Sequence, residues 1–216
     1  MSTEKTLKHE NLRYVRAYTT LIAVIFWWII QGLSIEEIMD SLGNTNDWLG
    51  KLMSATVAAT LAYIVTIILT GLLSPKTKYI FVFWRLRNTL PGHRAFSHLM
   101  RNDYRIDTEA LVRKYGELPR DPVAQNKLWF KIYKKHEMDK TVLDAHKYFL
   151  LMRELTTITI ILILIFSLIG FWLVPDGRSL FYYILTLLIL AMLTARAGRN
   201  YGERFVTNVL ANASAT

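Results

Sequence analysis

The sequence predicts an all-α polytopic membrane protein, with four transmembrane helices and an α-helical cytoplasmic domain inserted between the second and third. Three observations predict it. Within 216 residues, 52% of them apolar and 20% charged, four windows contain no charged residue at all. The Lys and Arg residues that give the chain its formal charge of +9 crowd between those windows. No alternation of apolar and polar residues persists long enough for a half-buried strand. This segregation excludes a disordered chain, a disulfide-stapled secreted domain and a water-soluble enzyme of ordinary composition. The absence of cysteine removes thiolate nucleophiles, Fe–S clusters and Cys-ligated zinc.

A bilayer core of about 30 Å takes roughly 20 helical residues to cross. The windows are Ala17–Leu33, Leu52–Leu73, Leu155–Val174 and Ser179–Ala195. The second and third are long enough alone. The first and fourth need their flanks, where Arg16 and Arg196 can extend toward the headgroups. The first window is too long for a signal peptide and no small-x-small cleavage site follows it, so it reads as a retained anchor.

Orientation follows from basic residues in the connecting segments. The tail 1–16 carries Lys5, Lys8, Arg13 and Arg16, and the tail 196–216 carries Arg196, Arg199 and Arg204. The segment 74–154 has 17 Lys and Arg against nine Asp and Glu. The loop 34–51 is acidic (Glu36, Glu37, Asp40, Asp47), with Lys51 its one cation, and the last connection is only Pro175–Arg178. Both termini and the segment 74–154 are therefore placed on the cytoplasmic side of the membrane. The domains follow: 1–16, spans one and two in 17–73, the basic domain 74–154, spans three and four in 155–195, and the tail 196–216.

Within the basic domain, Tyr79–Trp84 is aromatic and apolar and meets Arg85 and Arg87. It suits the headgroup region or, equally, a buried helix or strand. Arg94–Arg101 reads as a short helix after the Pro91-Gly92 turn. Asp107 caps a helix over Thr108–Tyr115, which Gly116 ends. Asp121-Pro122 starts another, running to about His136 with Val123, Leu128, Trp129, Ile132 and Tyr133 as its buried stripe. A last helix from about Thr141 runs directly into the third span. At about 80 residues the domain is marginal alone, which argues for a homo-oligomer, set here as a tetramer.

The second span argues for assembly too. Ser54, Ala58, Ala62, Thr66 and Thr70 recur every four residues, as in a close helix–helix seam or the wall of a narrow pore. Thr186 and Thr194 form a weaker version on the fourth span, and Thr156, Thr157 and Thr159 lie near the cytoplasmic end of the third. No span holds Asp, Glu, Lys, Arg or His at depth, against an ion-coupled transporter. A pore requires several copies around an axis.

No catalytic motif, cofactor or metal signature is present. His93 and His98 fall on different helical faces, and His136 and His146 have no carboxylate at metal spacing. Asp103, Asp107 and Glu109 read as capping and solvated groups. The chain is expected not to be an enzyme.

The excess charge serves orientation and anionic lipid first. Yet cations extend through the domain: Arg94, Arg101, Arg105, Arg113, Lys114, Arg120, Lys127, Lys131, Lys134, Lys135 and Lys147. They interleave with Phe96, Tyr104, Tyr115, Trp129, Tyr133 and Tyr148, which are either stacking platforms or core. Arg94, Arg101, Arg105, Arg113, Lys114, Lys127, Lys131, Lys134 and Lys135 are the candidate ligand surface for a signalling nucleotide or single-stranded nucleic acid. Lys127, Lys131, Lys134 and Lys135 share one helix.

In size, layout and charge placement the chain, with its stretches Leu90–His98 (LPGHRAFSH) and Leu118–Trp129 (LPRDPVAQNKLW), resembles small four-span effectors of bacterial anti-phage nucleotide-signalling systems, of the Hailong or CBASS type. The resemblance carries no residue role across. It implies an oligomeric ligand-gated channel or membrane-permeabilising effector controlled by a nucleotide or nucleic acid, with a nucleotidyltransferase partner. The alternative is a pore-less anchor or sensor that recruits a partner through the cytoplasmic domain.

Overall fold

The computed structural model describes residues 3–32 and 45–215, with the backbone alone for 3–5, 45–49, 51, 52, 58, 62, 69 and 70. Every regular element among the described residues is helical. These are α1 (Thr3–Ile30), α2 (Thr45–Leu72), α3 (Pro75–Phe83), a run of 3-10 and π turns from Pro91 to Asn102, α4 (Thr108–Tyr115), α5 (Pro122–His136), α6 (Lys140–Leu173) and α7 (Gly177–Ala215). Of the outer-loop acids, Glu36, Glu37 and Asp40 lie outside the described residues.

The chain divides into two compact units. One comprises Met1–Asn11, Pro75–Arg153 and Thr194–Thr216; the other comprises Leu12–Ser74 and Glu154–Leu193. Helices α1, α6 and α7 each contribute one end to each unit.

The second unit is apolar both inside and out. Its core joins Ile22, Ala23 and Phe26 of α1, Ala59 of α2, Ile158, Leu162 and Phe166 of α6, and Tyr183 and Leu187 of α7. Phe26 stacks on Phe166 at 4.0 Å, and the Tyr183 hydroxyl donates to the Ile22 carbonyl at 2.8 Å. The exterior carries Leu61, Leu164, Leu168, Phe181 and Leu193, with Phe171 and Trp172 more than three-quarters exposed. Water would penalise such a surface, whereas lipid solvates it. Three helices, α1 (over Thr6–Ile30), α6 and α7, are long and apolar enough to cross a membrane. In α2 the apolar stretch is Met53–Ile68.

On α2, Ser54 is exposed while Thr66 is buried, and among the described side chains of this helix the other buried ones are Ala55 and Ala59. A strict four-residue repeat advances about 40° per step around a helix of 3.6 residues per turn, so Ser54 and Thr66 stand about 120° apart. The side chains of Ala58, Ala62 and Thr70 lie outside the described residues. On α6, Thr156, Thr157 and Thr159 are fully buried, and Thr159 shares a 2.6 Å hydrogen bond with Tyr18 of α1. On α7, Thr186 is exposed with its hydroxyl donating to Tyr182 O, and Thr194 is half-buried.

The first unit has a conventional core, and the last helix supplies a large part of it. Phe205, Val206, Val209, Leu210 and Ala213 are buried against Phe96, Leu111, Trp129, Ile132, Tyr133 and Val142. Residues 196–216 were expected as a separate tail; instead α7 runs on through them to Ala215 and fills the centre of this unit. The reason is periodicity: positions 205, 206, 209, 210 and 213 form an apolar stripe at 3.6-residue spacing. The unit is correspondingly larger than residues 74–154 alone, which weakens marginal size as an argument for assembly. Where α7 meets α3 and α6, Gly198 and Gly202 allow close approach; a methyl group at Gly202 would sit 2.8 Å from Phe83 and 3.2 Å from Phe149.

The caps form as the sequence predicts. Asp107 accepts from Ala110 N at 2.9 Å and Asp121 from Ala124 N at 2.8 Å. Gly116 ends α4 at a φ of +80°. Helix α6 starts at Lys140 and runs unbroken past the end of the domain, as expected. Two details differ. Val123 is exposed, and Gln125 and His136 join Trp129, Ile132 and Tyr133 on the buried face of α5. Residues 94–101 form 3-10 and π turns instead of one regular helix, because a buried glutamine holds their backbone. Gln125 Oε1 accepts from Phe96 N, Ser97 N and Ser97 Oγ, while its Nε2 donates to Arg120 O at 2.9 Å.

Tyr79–Trp84 takes the buried-helix form for Val82 and Phe83, which pack on Phe149. Trp84 leaves the helix with φ at +52° and is exposed. That conformation is costly for a bulky residue. Arg199 holds it, donating to Val82 O at 2.7 Å with its guanidinium 4.5 Å over the Trp84 ring.

Candidate functional site

The first unit sorts the nine expected ligand-surface cations into three groups. Arg94, Arg105, Arg113 and Lys134 face carboxylates: Glu203 at 2.7 Å, Asp103 at 2.7 Å, Asp107 and Glu109 at 3.9 and 3.5 Å, and Glu137 at 2.7 Å. Lys114 donates to Ala213 O at 3.3 Å. Arg101, Lys127, Lys131 and Lys135 are exposed with no carboxylate in ion-pair range among the described residues.

Three of these four make a ladder. Lys127, Lys131 and Lys135 stand four residues apart on α5, so their Cα atoms climb about 6 Å and turn about 40° per step, which keeps all three within about 80° of the helix surface. The ladder ends at Tyr115, whose ring lies 5.6 Å from the ammonium groups of both Lys114 and Lys135. Like charges at this spacing destabilise a helix by about 0.2–0.5 kcal/mol per pair. The ladder therefore costs stability in the free protein, and an anion laid along it would remove that cost.

Charge pairing shifts the acids that neutralise the other group. Hydrogen bonds from Arg105 hold the Asp103 carboxyl down at about 2, and the same contact raises the Arg105 guanidinium. Asp103 is thus ionised in the folded state below its unfolded range near pH 4. The stability it contributes is complete above pH 4 and falls away as pH drops through 2. Carboxyl NMR should show Asp103 titrating well below its neighbours, and Arg105→Gln should return it to the ordinary range. Burial, with Arg85 nearby, lowers the Arg94 guanidinium, and Glu203 opposes that shift. Asn212 and then His136 lower Asp139 by hydrogen bonds.

The aromatic residues divide as the two open readings allowed. Phe96, Trp129 and Tyr133 are core, whereas Tyr104 is fully exposed and Tyr148 stacks on Tyr201 at 5.2 Å. His136 has a carboxylate partner the sequence reading did not find, Asp139 at 2.9 Å. No group of three His, Cys, Asp or Glu side chains that could hold a metal occurs among the described residues. Sequence reasoning missed the face of α5 next to the ladder. There Asn126, Trp129, Phe130 and Tyr133 line a cavity of about 220 Å³, closed by α3, the Leu90–Gly92 turn, α6 and α7. The spacing of the ladder lysines was legible in the sequence, but the cavity draws on five separated segments and left no local signal.

No protein-family model, curated protein or solved structure matches this chain.

Proposed function

We propose that this protein is an oligomeric ligand-gated ion channel or membrane-permeabilising effector of bacterial anti-phage defence. It sits in the inner membrane with four spans, α2 crossing as the second beside α1, α6 and α7, and with both termini cytoplasmic. A nucleotide or single-stranded nucleic acid, made by a nucleotidyltransferase partner, controls it at the basic unit; the chain itself is not an enzyme. The uncompensated ladder of Lys127, Lys131 and Lys135 carries this reading. Repeated around the axis of a homo-oligomer, taken as a tetramer, it presents a concentrated field to a polyanion. Helix α6 begins in the core of the basic unit and continues as a span. A ligand that packs differently against its first turns in open and closed states would shift the gating equilibrium.

Liposome flux tests the proposal. Purified protein should pass ions, and an oligonucleotide should change the rate. Lys127→Glu, Lys131→Glu and Lys135→Glu together should lower oligonucleotide affinity about 100-fold and flatten its log–log salt dependence by about two, near 0.7 per lost contact. Charge removal at Arg113, already neutralised in place, should do far less. Vesicles that stay tight under every nucleotide tried would instead favour the pore-less anchor.

A further inference from the structure

The aromatic cavity on α5 adjoins a second, basic groove. The two share Tyr79 and Leu90 as a common wall. Most of the rings that line the cavity are buried and stack on one another: Trp129 and Tyr133 lie within 10° of parallel, and His146 stacks on Phe205 at 4.4 Å. Phe130 is half exposed at its mouth, with the Lys134 ammonium 5.9 Å from the Phe130 ring. The groove presents Lys76, Arg87 and His93 and is lined by no acid. Neither Lys76 nor Arg87 has an ion-pair partner among the described residues.

Size decides what the pair can take. Sites that enclose a drug-sized ligand run to about 300–1,000 Å³. At about 220 Å³ the cavity accepts one ring system and leaves the rest of its ligand outside. What lies outside must pass over Tyr79 and Leu90 into the groove, where only an anion gains. A flat ring joined to an anionic group through a short polar linker is a nucleoside phosphate. An acyl chain would fill an apolar cavity without using an aromatic face, whereas a base stacks on the half-exposed Phe130 ring at the mouth.

We infer that the aromatic cavity is a nucleobase pocket and that Lys76 and Arg87 hold the 5′-phosphate of the same nucleotide. This site is separate from the lysine ladder, and it rests on the reading that a nucleotide controls the protein. The ladder would track the backbone of a longer ligand, and the cavity would receive a terminal base.

The test uses the full chain in phosphatidylcholine nanodiscs, with adenosine 5′-monophosphate, adenosine and ribose 5-phosphate as probes in calorimetry. The monophosphate should bind at least tenfold more tightly than either fragment. The exposed pair Lys76→Ala and Arg87→Ala should weaken the monophosphate about tenfold and leave adenosine unchanged. Phe130→Ala should weaken the monophosphate and adenosine alike. Equal binding of monophosphate and ribose 5-phosphate would overturn the base pocket. If the three variants leave monophosphate binding intact while charge reversal of Lys127, Lys131 and Lys135 removes it, this site falls but nucleotide control stands. No binding of any nucleotide overturns both. Displacement of the monophosphate by phosphatidylserine in the nanodisc, with no preference for the base, assigns the site to lipid and overturns the inference.

Discussion

Removing residues 205–216 should unfold the basic unit. The deletion takes away Phe205, Val206, Val209, Leu210 and Ala213, all buried in its main core. At about 1.5–3 kcal/mol for each large apolar side chain, the loss reaches about 8 kcal/mol. Domains are held together by only about 5–15 kcal/mol. Hydrogen exchange should report loss of protection across Pro122–His136, while the helical segments 154–173 and 177–193 stay protected. A milder pair isolates the cause: Leu210→Ala should cost about 2–5 kcal/mol, and a change at exposed Arg204 should cost little. Full protection of α5 in the deletion would show that the last helix is dispensable to this core.

Gln125→Leu should be the most damaging change of a single polar side chain. The substitution is close in size, so packing is largely kept. What disappears is the acceptor used by two backbone amides and a hydroxyl of the 3-10 and π segment, together with the donor to Arg120 O. Each group orphaned away from water costs about 1–3 kcal/mol. With part of the set still reaching water, a total of about 3–5 kcal/mol is expected, a fall of roughly 10 °C or more in the melting temperature of the unit. The same change should loosen the Leu90–Gly92 turn, which lines both the aromatic cavity and the basic groove. Nucleotide affinity should therefore drop with stability. Lys127→Ala, two residues along on the exposed side, supplies the contrast: stability within about 0.5 kcal/mol of the parent.

The residues that sequence reading placed best obey local rules. Asp107 and Asp121 cap helices because a short carboxylate two or three residues ahead of a free amide has little else to do. The start of α6 and its unbroken run follow from a helical pattern with no Pro or Gly before Gly170. The lysine ladder is visible as a spacing of four. Errors arose where partners lie far apart in sequence. Val123 looks apolar enough for the core, yet Gln125, whose hydrogen bonds reach back to Phe96 and Ser97, takes the buried position. On α2, a repeat of four puts exposed Ser54 and buried Thr66 about 120° apart, because a helix has 3.6 residues per turn.

The sequence alone determined that this is a helical chain with long apolar helices and a strongly basic connecting segment. Solvent preference and helix capping are properties of neighbouring residues and need no fold to express them. Only the tertiary structure decided which cations are neutralised, that Phe205, Val206, Val209, Leu210 and Ala213 belong to the core, and that five distant segments enclose an aromatic cavity next to a basic groove. Ion pairs, shared cores and cavities are made by groups from different parts of the chain, and only packing brings those groups together.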